Sequence, residues 1–74
     1  MKQYLDIINI DSEKRFGKPC IKGTRISVSD VLGWLASGMD INNIINDYPE
    51  ISLEQIKACL SYAAEKEHKI RIAS

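Results

Sequence analysis

The sequence predicts a small, mostly α-helical domain in which three helices follow an N-terminal strand and a short β-hairpin. Up to residue 27 the chain has a run of β-branched residues and is interrupted by glycine and proline, as in short strands. Beyond residue 27 the apolar residues recur with a period of about 3.6 and follow helix-capping residues, which is typical of amphipathic helices. The length of 74 residues suffices for one domain, 1–74.

The first part of the chain, residues 1–27, is predicted to be a β arm. Isoleucines make the segment 4–10 a candidate strand. Further along, Gly23 and Thr24 separate two short segments with apolar centres. A type II′ turn requires glycine at its first central position, so we expect a tight hairpin there. The paired segments of that hairpin are 20–22 and 25–27.

The three predicted helices span residues 28–37, 41–47 and 53–68. Their N-caps are Ser27, Asp40 and Ser52, respectively. Gln55 stands three residues after the last of these caps and completes a capping box. The first helix ends at Gly38, which suits a left-handed C′ residue, and Pro49 stops the second. The predicted inward residues are Val28, Val31, Leu32 and Leu35, then Ile41, Ile44, Ile45 and Tyr48, then Leu53, Ile56, Leu60, Ala63 and Ala64.

The order of the helices bears on function. A short helix, a turn of about five residues and a longer capped helix suggest a helix-turn-helix, and the helix before them completes a plan found in many DNA-binding domains. Small helical bundles with no DNA role have the same pattern, so the spacing leaves both possibilities open. A chain this short buries only about 60% of its unfolded surface. We therefore expect a homodimer to supply further stability.

The charges are balanced overall but sorted along the chain. Ten basic and ten acidic residues give a net charge of zero, which excludes a protein that coats nucleic acid through bulk positive charge. The basic arm, residues 14–25, carries five cations and no acid: Lys14, Arg15, Lys18, Lys22 and Arg25. The acidic middle, residues 26–56, carries five acids and no base: Asp30, Asp40, Asp47, Glu50 and Glu54.

The candidate DNA contacts are Lys18, Lys22, Arg25, Gln55, Lys57 and Ser61. Cations of the basic arm can neutralise phosphates and release counterions. On the outward side of the third helix, Gln55 can bond an adenine edge and Ser61 a phosphate. Carboxylates at the start of that helix would repel the DNA backbone, which leaves the basic arm as the main contact. Pairing of the basic arm with the acidic middle of the same chain is the alternative.

Two aromatic residues are candidates for a partner interface. Trp34 lies beside the main apolar stripe of the first helix rather than within it, and Tyr62 lies on the third helix. Exposed tryptophan and tyrosine are common binding hot spots. For Trp34 the alternative is a position in the core or in a dimer interface, and for Tyr62 it is packing between helices.

Several other classes of function are not expected. One histidine, His68, and two cysteines, Cys20 and Cys59, have no metal-ligand spacing, so no metal or cofactor is predicted. The cysteines are expected to be small buried residues without a disulfide. An enzyme is not expected, because nucleophile, base and stabiliser would have to converge in so small a domain. With no apolar run that spans a membrane and no secretory signal, we expect a cytoplasmic protein.

A segment of the arm resembles the signature of a known family. Residues 16–28 have the sequence FGKPCIKGTRISV, and the resemblance continues through 35–39, 44–49 and 56–64. This pattern resembles domain-of-unknown-function family 433. Members are predicted antitoxins of prokaryotic type II toxin–antitoxin pairs, related to VapB-type antitoxins and similar in fold to homeodomain-like helix-turn-helix proteins.

The resemblance implies a specific function. The protein would bind and neutralise a nuclease-like toxin with a PIN-type domain, and it would bind operator DNA to regulate its own operon. VapB-type antitoxins wrap their toxin with a flexible tail, for which this chain offers residues 65–74. The alternative is a non-enzymatic protein–protein adaptor that does not bind DNA.

Overall fold

The computed structural model describes residues 3–10, 13 and 17–73, with the side chains of residues 3, 5 and 68–73 excepted. The chain is mostly helical, as predicted, with α1 at Val28–Ala36, α2 at Ile41–Asp47 and α3 at Leu53–Ala73. A 3₁₀ helix at Gln3–Asp6 and two strands, β1 at Ile8–Ile10 and β2 at Pro19–Ile21, precede the helices. In this part of the chain no helix has both the length and the apolar character needed to cross a membrane.

The N-terminal strand is shorter than predicted. β1 pairs antiparallel with β2, with Ile8 opposite Ile21 and Ile10 opposite Pro19. The preceding residues were expected to continue the strand, but they form the 3₁₀ helix, and the Ile7 N–H donates to the Tyr4 carbonyl at 2.9 Å. The reason is tertiary packing, since the Tyr4 ring lies edge-on to Tyr62 of α3 with the centroids 5.3 Å apart.

The predicted hairpin is present, but the turn type was wrong. The Thr24 N–H donates to the Ile21 carbonyl at 3.0 Å, which makes Gly23 the second central residue of the turn, with φ of +79°. Positive φ at that position belongs to a type II turn and not to type II′. Beyond the turn, the pairing of the hairpin is short. The Ile21 N–H donates to the Ile26 carbonyl at 2.9 Å, and a single β-bridge joins Cys20 and Ser27. The main partner of β2 is therefore β1.

All three predicted caps are confirmed by their hydrogen bonds. The Ser27 hydroxyl accepts the Asp30 N–H and the Asp30 carboxylate accepts the Ser27 N–H, both at 3.0 Å. Asp40 and Asn43 form the same reciprocal pair at the start of α2. At α3, the Ser52 hydroxyl accepts the Gln55 N–H at 3.3 Å and Gln55 Oε1 accepts the Ser52 N–H at 2.7 Å. These bonds satisfy amides that a helix start leaves unpaired.

The C-terminal ends of the helices differ in how well they were predicted. Gly38, with φ of +108°, ends α1 as expected. Its N–H donates to the Leu35 carbonyl and the Met39 N–H donates to the Trp34 carbonyl, both at 3.1 Å, which is a Schellman motif. The end of α3 lies five residues beyond the predicted residue 68. Residues 65–73, expected to serve as a tail, are therefore helical.

The core contains residues from every major element. Its fully buried residues include Ile21 of β2, Val31 of α1, Ile44 of α2 and Ile56 of α3. One part of the predicted core was wrong, because Leu53 and Leu60 are 44% and 40% exposed. The buried side of α3 also contains Ala58 and Cys59. Apolar residues recur at helical spacing on both sides of α3. The packing of α3 against α1 and the 3₁₀ helix decides which side is buried.

Two glycines allow the turn assignment to be tested with the same substitution. A Cβ atom at Gly23 or at Gly33 would have no other atom within 4 Å, so neither substitution causes a clash. Gly23→Ala places alanine at positive φ and should lower the free energy of unfolding by about 1 kcal/mol. Gly33→Ala lies within α1 and should raise that energy by roughly 0.5–1 kcal/mol. Urea denaturation measures both, and equal effects of the two would contradict the assigned turn.

Candidate functional site

The basic arm forms a small, shallow depression. Its rim holds Asn9 of β1, Lys18 before β2, and Lys22 and Thr24 of the turn. Cys20, Ile21 and Gly23 complete the lining. We call this feature the cationic depression. It exists because β1 pairs with β2 on one side while the Gly23 turn folds back on the other.

The two lysines of the cationic depression are available to a partner. Both are exposed, and neither Lys18 nor Lys22 is paired with a carboxylate among the residues that the structure describes. The alternative prediction, in which the acidic middle neutralises the basic arm, therefore does not hold for these two. Arg25 is exposed on the same turn and has a contact of its own. The predicted cations at 14 and 15 lie outside the described residues.

The predicted DNA contacts on α3 are not part of the cationic depression. Gln55 is half-buried, and its Oε1 accepts the Ser52 N–H in the capping box. A bidentate bond to adenine needs both the oxygen and the nitrogen of the amide, so that contact would break the cap. Lys57 and Ser61 are exposed four residues apart on α3.

Trp34 stacks on Tyr48. The two rings are 4.1 Å apart between centroids and inclined by only 10°. Trp34 lies near the end of α1 and Tyr48 is the C-cap of α2, so the stack joins the ends of these two helices. Both side chains are half-buried and pack on the core while part of each remains accessible. Sequence reasoning had placed Tyr48 inward but had no signal for its pairing with Trp34.

The second predicted interface residue, Tyr62, has a packing role. Its ring contacts the Tyr4 ring edge-on, and Lys66 Nζ lies 5.3 Å from the Tyr62 ring centroid. The Tyr62 side chain is half-buried as a result. The structure thus favours the alternative stated for Tyr62, which is packing between elements.

Exposed carboxylates surround the second helix. Asp40 begins α2, Asp47 ends it, and Glu50 and Glu54 follow on the way into α3. All four are exposed, and none is paired with a cation among the described residues. Asp40 is engaged in its cap through a hydrogen bond from the Asn43 N–H. The acidic middle is therefore a negatively charged surface in the folded protein.

A family model described as a protein of unknown function, DUF433, matches residues 8–63. The chain belongs to the DUF433 family. A crystal structure of a DUF433 member protein from Anabaena variabilis ATCC 29413 is similar, with a TM-score of 0.80 and 21% identity over 96% of this chain and 74% of that chain. At this identity the similarity concerns the fold alone. None of the curated proteins matches the chain.

The two cysteines of this DUF433 chain are buried free thiols, as predicted. Cys59 lies on the buried side of α3 and is fully inaccessible. Burial raises the pKa of the Cys59 thiol to about 11 because the thiolate would lose its hydration. Among the described residues, no group of three histidine, cysteine or acidic side chains is arranged to hold a metal ion.

The raised pKa predicts a slow reaction of Cys59 with alkylating reagents. At pH 9 a thiol of ordinary pKa is about half ionised, whereas a thiol of pKa near 11 is about 1% ionised. Iodoacetamide should therefore modify Cys59 at least about fifty-fold more slowly in the folded protein than in urea. Mass spectrometry of the digested protein locates the label. Equal rates in the two states would contradict the buried position.

The same shift gives a pH dependence of stability. The folded pKa of Cys59 lies above its unfolded value, so its contribution is complete below about pH 9 and is lost as the pH rises towards 11. The free energy of unfolding should therefore be lower at pH 11 than at pH 8. This difference should be smaller for Cys59→Ala, because alanine has no thiol to ionise.

Proposed function

We propose that this DUF433 protein is the antitoxin of a type II toxin–antitoxin pair. It binds and neutralises a nuclease-like, PIN-type toxin, and it binds operator DNA to regulate its own synthesis. The cationic depression carries the proposal, because two lysines with no described carboxylate partner share one concave surface in a protein of zero net charge. Such a local concentration of charge suits a polyanion.

Operator DNA is assigned to the basic arm. Lys18 and Lys22, which both line the depression, contact phosphates, and the amide of Asn9 adds a neutral donor. α3 is the weaker candidate for DNA contact. Its first turn carries Glu54, and the oxygen of Gln55 is occupied by the cap. The family resemblance suggests a helix-turn-helix, and in our proposal the arm provides most of the affinity.

The toxin is assigned to the surface around the Trp34–Tyr48 stack. A flat aromatic pair that is already ordered loses little entropy on binding, which is a property of hot spots. Asp47 and Glu50 stand on either side of Tyr48 in the sequence and are both exposed. A nuclease must bind polyanionic RNA and therefore presents cations, to which this acidic surface is complementary.

The adaptor without DNA binding is the second candidate. The exposed carboxylates around the second helix favour it, since they repel DNA and suit a basic protein; they are Asp40, Asp47, Glu50 and Glu54. The two candidates differ in a single measurement, because only the antitoxin with operator activity binds its promoter in a salt-dependent way.

Operator binding should depend on the lysines of the depression. Lys22→Glu should weaken binding to the protein's own promoter at least about tenfold, and each neutralised lysine should reduce the slope of log affinity against log salt by about 1. Lys66→Glu makes the same charge change on α3 and serves as the matched control. Equal losses for the two variants would remove the arm from the interface. No binding of the unaltered protein at low salt would favour the adaptor.

Toxin neutralisation should depend on the aromatic and acidic surface. The protein should restore growth when it is co-expressed with the toxin encoded beside it. The variant Asp47→Lys with Glu50→Lys should lose this rescue, because it places cations against a cationic toxin. Asp6→Lys, which alters an exposed carboxylate of the 3₁₀ helix, is the control.

Trp34 provides an independent readout, since it is the single tryptophan of the chain. Its fluorescence should change on addition of the purified toxin if the stack lies in the interface. Unchanged fluorescence together with full rescue by the double charge variant would place toxin binding on another surface.

A further inference from the structure

We infer that α3 pairs antiparallel with α3 of a second copy of this chain. The contact is the exposed α3 face, which consists of Leu53, Lys57, Leu60, Ala64 and Glu67. The inference does not depend on the proposed function, because it concerns a surface that neither the cationic depression nor the Trp34–Tyr48 stack uses.

The exposed α3 face has the spacing of a two-helix contact. Its members follow one another at intervals of four, three, four and three residues, which is the heptad pattern that keeps side chains facing a partner helix. All five are exposed, and among the helical residues whose side chains are described, the two leucines are the only exposed large apolar ones. The opposite side of α3, with Ile56 and Cys59, is already buried in the core. A second helix can therefore cover this face without disturbing the fold.

The charges on this face select the direction of the second helix. In a parallel pair in register, Lys57 would face Lys57 of the partner subunit, and Glu67 would face the partner's Glu67. Both contacts are repulsive. In an antiparallel pair with the two-fold axis midway between Leu60 and Ala64, Lys57 faces the partner's Glu67 instead. This attraction occurs twice because of the symmetry.

The same register also packs Leu60 against a small residue. Leu60 lies opposite the partner's Ala64, so that a large side chain meets a small one on both sides of the axis. Between Lys57 and Glu67 the exposed α3 face is thus complementary to itself in both shape and charge, which is what a two-fold contact requires. A partner of another sequence would have to reproduce this pattern. A second copy has it already.

The length of α3 and the size of the chain agree with this arrangement. A helix of 21 residues is about 32 Å long, and the contact, from Leu53 to Glu67, occupies its first two-thirds. Antiparallel helices also oppose their dipoles favourably. A 74-residue domain has a small core, and a dimer adds buried apolar surface to it.

Charge substitutions test the contact and its direction. By sedimentation equilibrium, the unaltered protein should dimerise in a concentration-dependent way. Lys57→Glu should weaken the dimer at least about tenfold, because it creates two repulsive contacts with Glu67 of the partner subunit. Adding Glu67→Lys to that variant should restore the affinity to within about threefold. Lys66→Glu, nine residues along from Lys57 and so on the opposite side of α3, should leave the affinity unchanged.

The apolar part of the contact has its own variant. Leu60→Glu should weaken the dimer by at least about a hundredfold while the far-ultraviolet circular dichroism stays helical, since Leu60 lies outside the core. If Leu60→Glu fails to fold, the charge variants alone decide the question.

Two results would overturn the inference. One is an unaltered protein that stays monomeric up to about 0.5 mM. The other is a dimer whose affinity is unchanged by Lys57→Glu. That result would indicate a parallel pair, in which the substitution replaces a contact between two lysines with a contact between two glutamates. If monomeric variants still restore growth in the presence of the toxin, the proposed function stands while the α3 dimer is not needed for it. This result would distinguish the dimer from the proposed function.

Discussion

The burial of four aliphatic side chains, one from each major element, is the constraint on which this structure depends. Ile21, Val31, Ile44 and Ile56 come from β2, α1, α2 and α3, and all four are inaccessible to solvent. Burying each side chain contributes roughly 1.5–3 kcal/mol. With so few large residues available, the protein has little freedom in how α3 is rotated, because any other rotation would leave Ile56 exposed and the core open. The exposed leucines of α3 are a consequence of that choice.

Local hydrogen bonds make this small core sufficient. Helices of nine and seven residues, such as α1 and α2, are marginal on their own in water. Each begins with a reciprocal pair of side-chain and backbone hydrogen bonds, and α1 ends in a Schellman motif. These bonds set where the helices start and stop and therefore which side chains reach the core. The turn at Gly23 has a similar role, since it directs the chain from β2 into the cap of α1 and holds Lys22 at the surface.

Three surfaces of different chemistry result from this fold. The cationic depression, the Trp34–Tyr48 stack with its neighbouring carboxylates, and the exposed α3 face lie on different elements. The proposed antitoxin would bind a nuclease, an operator and a second copy of itself, and these three partners need surfaces that do not compete. The separation of charge along the chain suits such a division. Lys18 and Lys22 on one surface, and Asp47 and Glu50 on another, have no oppositely charged partner among the described residues.

Much of the fold could be predicted from local signals, whereas much of the candidate site could not. The three helices and their caps were predicted, because Ser27, Asp40 and Ser52 act on backbone amides within three residues. The predicted availability of Lys18 and Lys22 also agrees with the structure. The sequence predicted both a capping bond and an adenine contact for Gln55, and the structure has the cap, which occupies the amide oxygen. For Tyr62 the sequence left packing between helices as the alternative, and it had no signal for the neighbour, Tyr4. No sequence spacing distinguishes an inward from an outward leucine when both sides of a helix are apolar.

By itself, the sequence determined the order of the helices and where each of them begins, the capping residues, and the sorting of charge into a basic arm and an acidic middle. These properties depend on residues close together in the chain, where side chains and backbone meet in any conformation. Tertiary structure alone decided the 3₁₀ helix at Gln3–Asp6, the pairing of Trp34 with Tyr48, and the rotation of α3. Each of these is a contact between distant segments, and its energy appears only when the core has brought those segments together.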